Sequence, residues 1–227
     1  MGRKAQAIKN VSATWLALLV HAVVGFLLAP FILHRLGDQA YSLWILIFAI
    51  TGYFSLLDFG IRSSIVKYIS GFLASGDNDQ LSRYLSSSFA FYVGVGLFVL
   101  FLTASGFFYL PHLFRIPAHW LRPARILLLM SGASIAATFP LSVFSGALEA
   151  LQKFSWLQLS QIGVALVRAF LIVVVLLNGG ALLAVGTVTI AMSLLSSLVF
   201  TFLACRALPV RLSFRRVDAK AFRKMAA

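Results

Sequence analysis

Six stretches of the chain, residues 12–33, 41–62, 84–109, 124–148, 155–177 and 181–205, are apolar along almost their whole length and show no two-residue alternation. About 20 such residues wound into a helix cross the roughly 30 Å of hydrocarbon in a bilayer. The strands of a membrane barrel are shorter, about 10 residues, and alternate in polarity. The pattern therefore predicts an all-α, polytopic membrane protein built as a six-transmembrane-helix bundle. Helices satisfy this setting because hydrocarbon offers no partner to a backbone N–H or C=O, so each must bond within its own segment. The connections HRLGDQA, ASGDNDQLSR, PHLFRIPAHWLRP, ALEALQKF and NGG are short, and no soluble domain, low-complexity tract or internal repeat is visible between them. The expected organisation is a basic N-terminus over residues 1–11, a six-helix lobe over 12–205 and a basic tail over 206–227.

Composition agrees with this picture, and charge refines it. The chain is 61% hydrophobic and 11% charged, against about 45–50% and about 25% in soluble domains. A net charge of +13 raises the question of nucleic acid. With the N-terminus placed inside, 13 of the 19 Lys and Arg residues fall on that side, every lysine among them. Only 4, namely Arg35, Arg115, Arg122 and Arg125, fall outside. Such asymmetry is the positive-inside pattern of membrane proteins. Basicity thus sets topology: both termini are expected in the cytoplasm, and no nucleic-acid partner is expected. The opening GRKAQAIKN resembles the start of a signal peptide, but the apolar run behind it is too long and lacks a small-residue cleavage site, so an uncleaved first span is expected. The one cysteine, Cys205, forms no internal disulfide.

Polar residues inside the spans are the candidates for chemistry. At about 3.6 residues per turn, Ser131, Ser134, Thr138, Ser142, Ser145 and Glu149 fall on one stripe of the fourth span. The first span aligns Asn10, Thr14, His21 and Gly25, the third Ser88, Tyr92 and Gly96, the fifth Gln158, Gln161 and Arg168, and the sixth Thr189, Ser193 and Ser196. Small hydroxylated residues also serve plain helix packing in membranes. Arg168 does not fit that role, because an arginine past the middle of a span costs about 2.5–3.5 kcal/mol even on the lenient insertion scale. Two readings follow: a static ion pair with Glu149 or Asp58, or a cation in a water-filled cavity. The planar guanidinium binds oxyanions through two parallel hydrogen bonds, which suits an anionic, phosphate-bearing substrate. The expected cavity set is Arg168, Gln161, Gln158, His21 and Arg62. His21 is read either as a buried, hydrogen-bonded imidazole or as a proton carrier.

Asp58 and Arg62 stand four residues apart near the inner end of the second span, with the acid first, which is the favourable order for an ion pair on one helix. They are read as an interfacial anchor or as a gate, with Glu149 as a further gate or ion-pair candidate. Gly60 between them permits a close approach or a bend. Pro30 and Pro140 lie inside helical patterns and are expected to kink them.

These residues carry a resemblance. The runs N-x-S-x-x-W at 10–15, P-F-I-L-H-R-L-G-x-x-x-Y-x-L-W at 30–44, L-L-D-F-G-I at 56–61 and G-A-L-E-A-L-Q-K-F at 146–154 are similar to bacterial polysaccharide-biosynthesis flippases. That family exports lipid-linked oligosaccharide and belongs to the superfamily of multidrug and toxin extruders. The resemblance implies an inner-membrane transporter that moves undecaprenyl-pyrophosphate-linked glycan by alternating access between two six-helix lobes, with basic residues in the cavity. It implies no cofactor and no catalytic residue. Partners are the lipid-linked anionic glycan, membrane lipids, and a missing C-terminal lobe or a second copy of the chain. Family members carry about twelve to fourteen spans, so six are expected to be the N-terminal half: a truncated product, a lobe completed by another polypeptide, or one half of a homodimer. A cation-coupled drug exporter is the alternative transporter. A non-transporting membrane scaffold or remnant is the alternative outside transport. A membrane-embedded transferase has little to stand on, since clustered acids, metal-spaced His or Cys, a glycine-rich phosphate loop and a Ser-His-Asp arrangement are all missing from the sequence.

Overall fold

The computed structural model describes residues 3–58 and 60–208, with the backbone alone described for residues 3–10. Over these residues the chain is helical: α1 (Arg3–Leu36), α2 (Asp38–Gly52), a 3₁₀ stretch (Tyr53–Asp58), α3 (Ile61–Ser75), α4 (Asn78–Leu113), α5 (Ala118–Ala150), α6 (Phe154–Leu177) and α7 (Leu182–Ala207). Six segments are long and apolar enough to cross a membrane, namely Val11–Leu36, Asp38–Asp58, Asn78–Leu113, Ala118–Ala150, Phe154–Leu177 and Leu182–Ala207. Large side chains such as Trp15, Phe26, Phe101 and Phe170 point out of the bundle, at 66–80% exposure. Such a surface belongs in lipid. Asn10, whose side chain is among residues 3–10, and the basic tail from residue 209 onward lie outside what is described.

The helices run past the apolar stretches that reveal them. The Asp77 side chain accepts hydrogen bonds from the Gln80 backbone N–H and the Gln80 side-chain amide, each at 2.9 Å. This cap starts α4 at Asn78 rather than near 84. At the other end of the bundle a single residue, Gly37 at φ 79°, separates α1 from α2. Hydropathy reports which residues face lipid, whereas caps decide where the hydrogen-bonded ladder ends. Both α1 and α5 continue through their internal prolines, Pro30 and Pro140.

The second span departs from the single helix expected over 41–62. Its α-helical part stops at Gly52, tightens into the 3₁₀ stretch, and breaks at Gly60, which adopts φ 74° and ψ 8°. Only glycine takes that left-handed conformation without strain. Beyond the break α3 continues as a separate rod against α5, with Ile65 in contact with Gly146.

Helix α5 is the hub. Buried residues make up 44% of its most apolar window, against 11–22% in the other spans, and it touches α2, α3, α4, α6 and α7. Lipid tails are as apolar as leucine, so such helices associate through close backbone approach at small residues. A Cβ added at Gly96 would lie 2.6 Å from the Ala136 carbonyl oxygen, and one at Gly132 would collide with the Thr103 side chain. These two glycines set the α4–α5 seam. Hydroxyls at the helix contacts spend their protons locally: Thr51 on the Ile47 carbonyl at 2.9 Å, Thr103 on Val99 at 2.7 Å and Ser131 on Leu127 at 2.8 Å.

Neighbouring contacts close a ring in the order α1, α2, α5, α7 and α6, with α3 and α4 packed outside it on α5. Toward the α1–α2 turn the ring is plugged by Leu43, Ile47, Leu127 and Leu182, and by Ile32, Ile172 and Val185. Toward α3 an apolar cluster of Phe144, Leu148, Leu157, Phe200 and Ala204 sits beside a pocket that carries polar side chains.

Replacing Gly96 by Ala should destabilise the bundle by about 1–3 kcal/mol, the usual cost of overpacking, because the obstacle is backbone. Gly94 on the same helix has nothing within 4 Å of its virtual Cβ, so Gly94→Ala should be neutral or mildly stabilising. Thermal unfolding of the two variants in detergent, read by size-exclusion fluorescence, makes the comparison.

A polar cavity inside the bundle

The helices border two adjoining open pockets that carry polar side chains. The larger, about 480 Å³, has apolar walls that include Ile135, Phe139, Leu141 and Phe200, into which Thr51, Ser55 and Asp58 of the second span, Arg62 of α3, and Thr138, Ser142 and Ser145 of α5 bring polar groups. The smaller, about 210 Å³, is lined by His21 of α1, Gln161 and Arg168 of α6, and Ser193, Ser196 and Ser197 of α7. Gln161, Ser193 and Ser197 border both. Together they form one polar track from the α3 end to the middle of the bundle. At about 1.5 Å of rise per residue, Arg168 stands about 21 Å up α6 from Phe154, past the centre of that helix.

Arg168 is half-buried and, among the described residues, has no ion-pair or hydrogen-bond partner. The expected alternative, a static pair with Glu149 or Asp58, is not formed. Gln161, two turns below, His21 of α1 and Ser193, Ser196 and Ser197 of α7 are the other polar groups lining the same space. His21 Nδ1 lies 2.7 Å from the Ala17 carbonyl. A carbonyl only accepts, so Nδ1 carries the hydrogen and Nε2 is left for the cavity. Gln158 is half-buried and lines neither compartment.

The pairing expected between Asp58 and Arg62 is also absent, because the break at Gly60 puts them on different elements. Each instead bonds across helices. The Tyr92 hydroxyl of α4 donates to Asp58 Oδ1; Tyr92 is fully buried and stacks on Phe139 of α5, with ring centroids 5.8 Å apart. Arg62 Nη2 donates to Glu149 Oε1 at 2.5 Å. Asp58 therefore lies beside Tyr92 of α4, which in turn stacks on Phe139 of α5. The 3₁₀ stretch that ends the second span lines the cavity through Ser55 and Asp58, which is where irregular backbone is tolerated in a membrane.

The hydroxyl stripe of α5 divides. Thr138, Ser142 and Ser145 face the cavity, while Ser131 and Ser134 are buried in helix contacts. The three cavity hydroxyls donate to the carbonyls of Ile135, Phe139 and Ser142, at 2.9, 2.6 and 2.8 Å. That arrangement turns oxygen lone pairs toward the space. The track thus offers acceptors along α5 and a free guanidinium at its deep end, a combination that can hold the hydroxyls and the oxyanion of one ligand. On the other spans, Ser193 and Ser196 face the cavity, Thr189 bonds back to Val185 at 2.9 Å, and Gly25 borders a separate apolar crevice between α1 and α2. The roles of Tyr92, Thr51 and Ser55 were not legible beforehand. The usable signal was Gly60, two residues beyond Asp58, which turns α3 out of the helical register of the second span.

The sequence profile of the family described as "Polysaccharide biosynthesis protein" matches residues 7–226. The membrane protein EpsK of Bacillus subtilis strain 168 is 25% identical over 138 residues, which is 61% of this chain and 27% of that protein. No solved structure matches.

Tyr92→Phe leaves the Asp58 carboxylate without its donor inside the span and should cost about 1–3 kcal/mol. Asp58→Asn retains an acceptor oxygen and should cost less than Asp58→Leu. Unfolding midpoints of the three variants, measured in one detergent, check the order.

Proposed function

Since the chain belongs to the polysaccharide biosynthesis protein family, we propose that it is a six-helix lobe of a transporter that flips lipid-linked oligosaccharide across the bacterial inner membrane. The observation that carries this reading is Arg168: a guanidinium without a protein partner among the described residues, deep in a polar cavity walled by apolar helices. Desolvating it is unfavourable unless a ligand oxyanion or water completes it. A diphosphate takes the fork of Arg168, assisted by Gln161 and His21 Nε2, while sugar hydroxyls run along the acceptor oxygens of Thr138, Ser142 and Ser145. The lipid tail stays among the apolar outer faces of the helices.

Placing both termini in the cytoplasm puts the open, polar end of the track on the side where the positive charge collects, and the apolar plug on the far side. A substrate then enters from the cytoplasm and meets a closed outer half. Alternating access needs a facing lobe to rock against; a longer chain, a second polypeptide or a second copy supplies it. The alternative of a cation-coupled exporter requires an acid free to load a cation. Asp58 accepts a bond from Tyr92 and Glu149 is held by Arg62, which weakens that alternative. A static scaffold gives Arg168 no reason to be where it is.

Expressed with a matching C-terminal lobe in a flippase-null strain, this chain should restore surface polysaccharide. Arg168→Ala should abolish rescue at equal expression, and Arg168→Lys, which keeps charge but loses the fork, should restore only part of it. Full rescue by Arg168→Ala would sink the assignment. Orientation is checked separately: alkaline phosphatase fused after Ile116 should be active, and fused after Asp77 silent.

A further inference from the structure

We propose that Arg62 is a second oxyanion site, masked in this conformation by Glu149, and that an oxyanion reaching the cavity takes Arg62 from Glu149 and frees α3 from α5. The proposal rests on the reading that the cavity admits an anionic headgroup.

Helix α3 is built as a movable rod. Its 15 residues lie between two glycines in the left-handed conformation, Gly60 at φ 74° and Gly76 at φ 70°. Neither glycine is hemmed in: a Cβ at Gly76 meets nothing within 4 Å, and one at Gly60 meets only Ser63 Oγ at 4.0 Å. No neighbouring atom blocks a change of backbone torsion at either glycine, and what a swing of the rod must undo is the packing of Ile61, Ile65 and Ile69. On one side, the Asp58–Tyr92 hydrogen bond anchors the 3₁₀ stretch to α4, so the rod can swing without carrying α2 along. On its inner face, Ile61, Ile65 and Ile69 pack against the bundle, and Arg62 reaches Glu149.

That reach is the exchangeable part of the attachment. The Arg62 side chain is 43% exposed, lines the larger compartment beside Asp58, and gives Glu149 one of its five N–H donors at 2.5 Å. The remaining donors are open to a phosphate entering the cavity. Glu149, at 24% side-chain exposure, keeps access to water once released. Exchanging one carboxylate for one phosphate on the same guanidinium is close to balanced, so a modest difference in ligand affinity is enough to shift the population. Asp58, lining the same compartment, repels an oxyanion that stops there. Passage onward to Arg168 is favoured as a result, and Arg62 serves as an entry station.

The packing of α3 supplies a direct probe. A Cβ built on Gly146 lies 3.8 Å from Ile65 Cβ, the separation of a relaxed disulfide, about 3.8 Å. In the full chain carrying Cys205→Ser, Ile65→Cys and Gly146→Cys in nanodiscs, the oxidative cross-linking rate reports α3 docked on α5. Inorganic pyrophosphate in solution, or an isoprenyl diphosphate in the disc, should slow cross-linking about tenfold, the weight of one charge-assisted hydrogen bond, and adding Arg62→Gln should remove the effect. Slowing by pyrophosphate assigns the site to a free anion as well as a headgroup; slowing by the lipid alone assigns it to the headgroup. Unchanged rates with both ligands overturn the latch. Calorimetry on single variants tests masking independently: Glu149→Gln should bind the same ligands about tenfold more tightly and Arg62→Gln about tenfold more weakly. If Glu149→Gln binds as the unmodified chain does, Arg62 is not masked. Binding lost in Arg168→Ala but indifferent to Glu149 and Arg62 would discard the latch and leave the cavity reading standing; no binding in the unmodified chain would remove both.

Discussion

Hydrocarbon accepts no hydrogen bond, and the rest of the fold is arranged around that one constraint. Each polar group within a span must find its partner in its own helix, in a neighbouring helix or in a cavity. Thr51, Thr103 and Ser131 take the first solution and bond to carbonyls one turn back. Such residues are small and self-sufficient, and they let α5 sit close to its neighbours. The contacts at Gly96 and Gly132 have the same logic, since they bring α4 and α5 together over their backbones. Association here depends on shape and proximity, because no hydrophobic drive separates one apolar helix from the surrounding lipid.

Charged groups cannot be satisfied so locally, and they take the other two solutions. Asp58 and Glu149 are each held from a neighbouring helix, by Tyr92 and by Arg62. Among the described residues, Arg168 has only the cavity. The polar track therefore has two ends of different character: a partnered mixture of acids and base near α3, and a lone guanidinium at depth. Charge in the interior is graded along the route that a ligand would follow. The gradient arises from helix geometry, since Asp58, Arg62, Glu149 and Arg168 come from the second span, α3, α5 and α6 and are scattered in sequence.

The break in the second span connects packing to this electrostatic pattern. A continuous helix through Asp58 and Arg62 would have paired them with each other and left Tyr92 and Glu149 without these partners. Gly60, by adopting a left-handed conformation, turns Arg62 toward α5 and leaves Asp58 facing α4. One residue without a side chain thus redistributes two charges among three helices. The same break leaves α3 as a separate rod with a glycine at each end, the feature on which the proposed exchange of its attachment to α5 rests.

Much of this was legible from local signals. Long uninterrupted apolar runs determined the membrane, the helical class and the number of spans, because each follows from the length of one segment and the chemistry of its solvent. The cost of burying a guanidinium marked Arg168, and 3.6-residue spacing placed Gln161 on its face. Other features needed the assembled chain. Which of the α5 hydroxyls border a cavity, that Gln158 borders neither compartment, that Asp58 belongs to Tyr92 and Arg62 to Glu149, and that α3 is a separate rod all depend on contacts between residues 34 and 87 positions apart or on a backbone torsion at one glycine. Sequence periodicity describes one helix at a time and assumes that it stays regular; a hydrogen bond between helices depends on how their faces are rotated against each other, and only tertiary packing decides that.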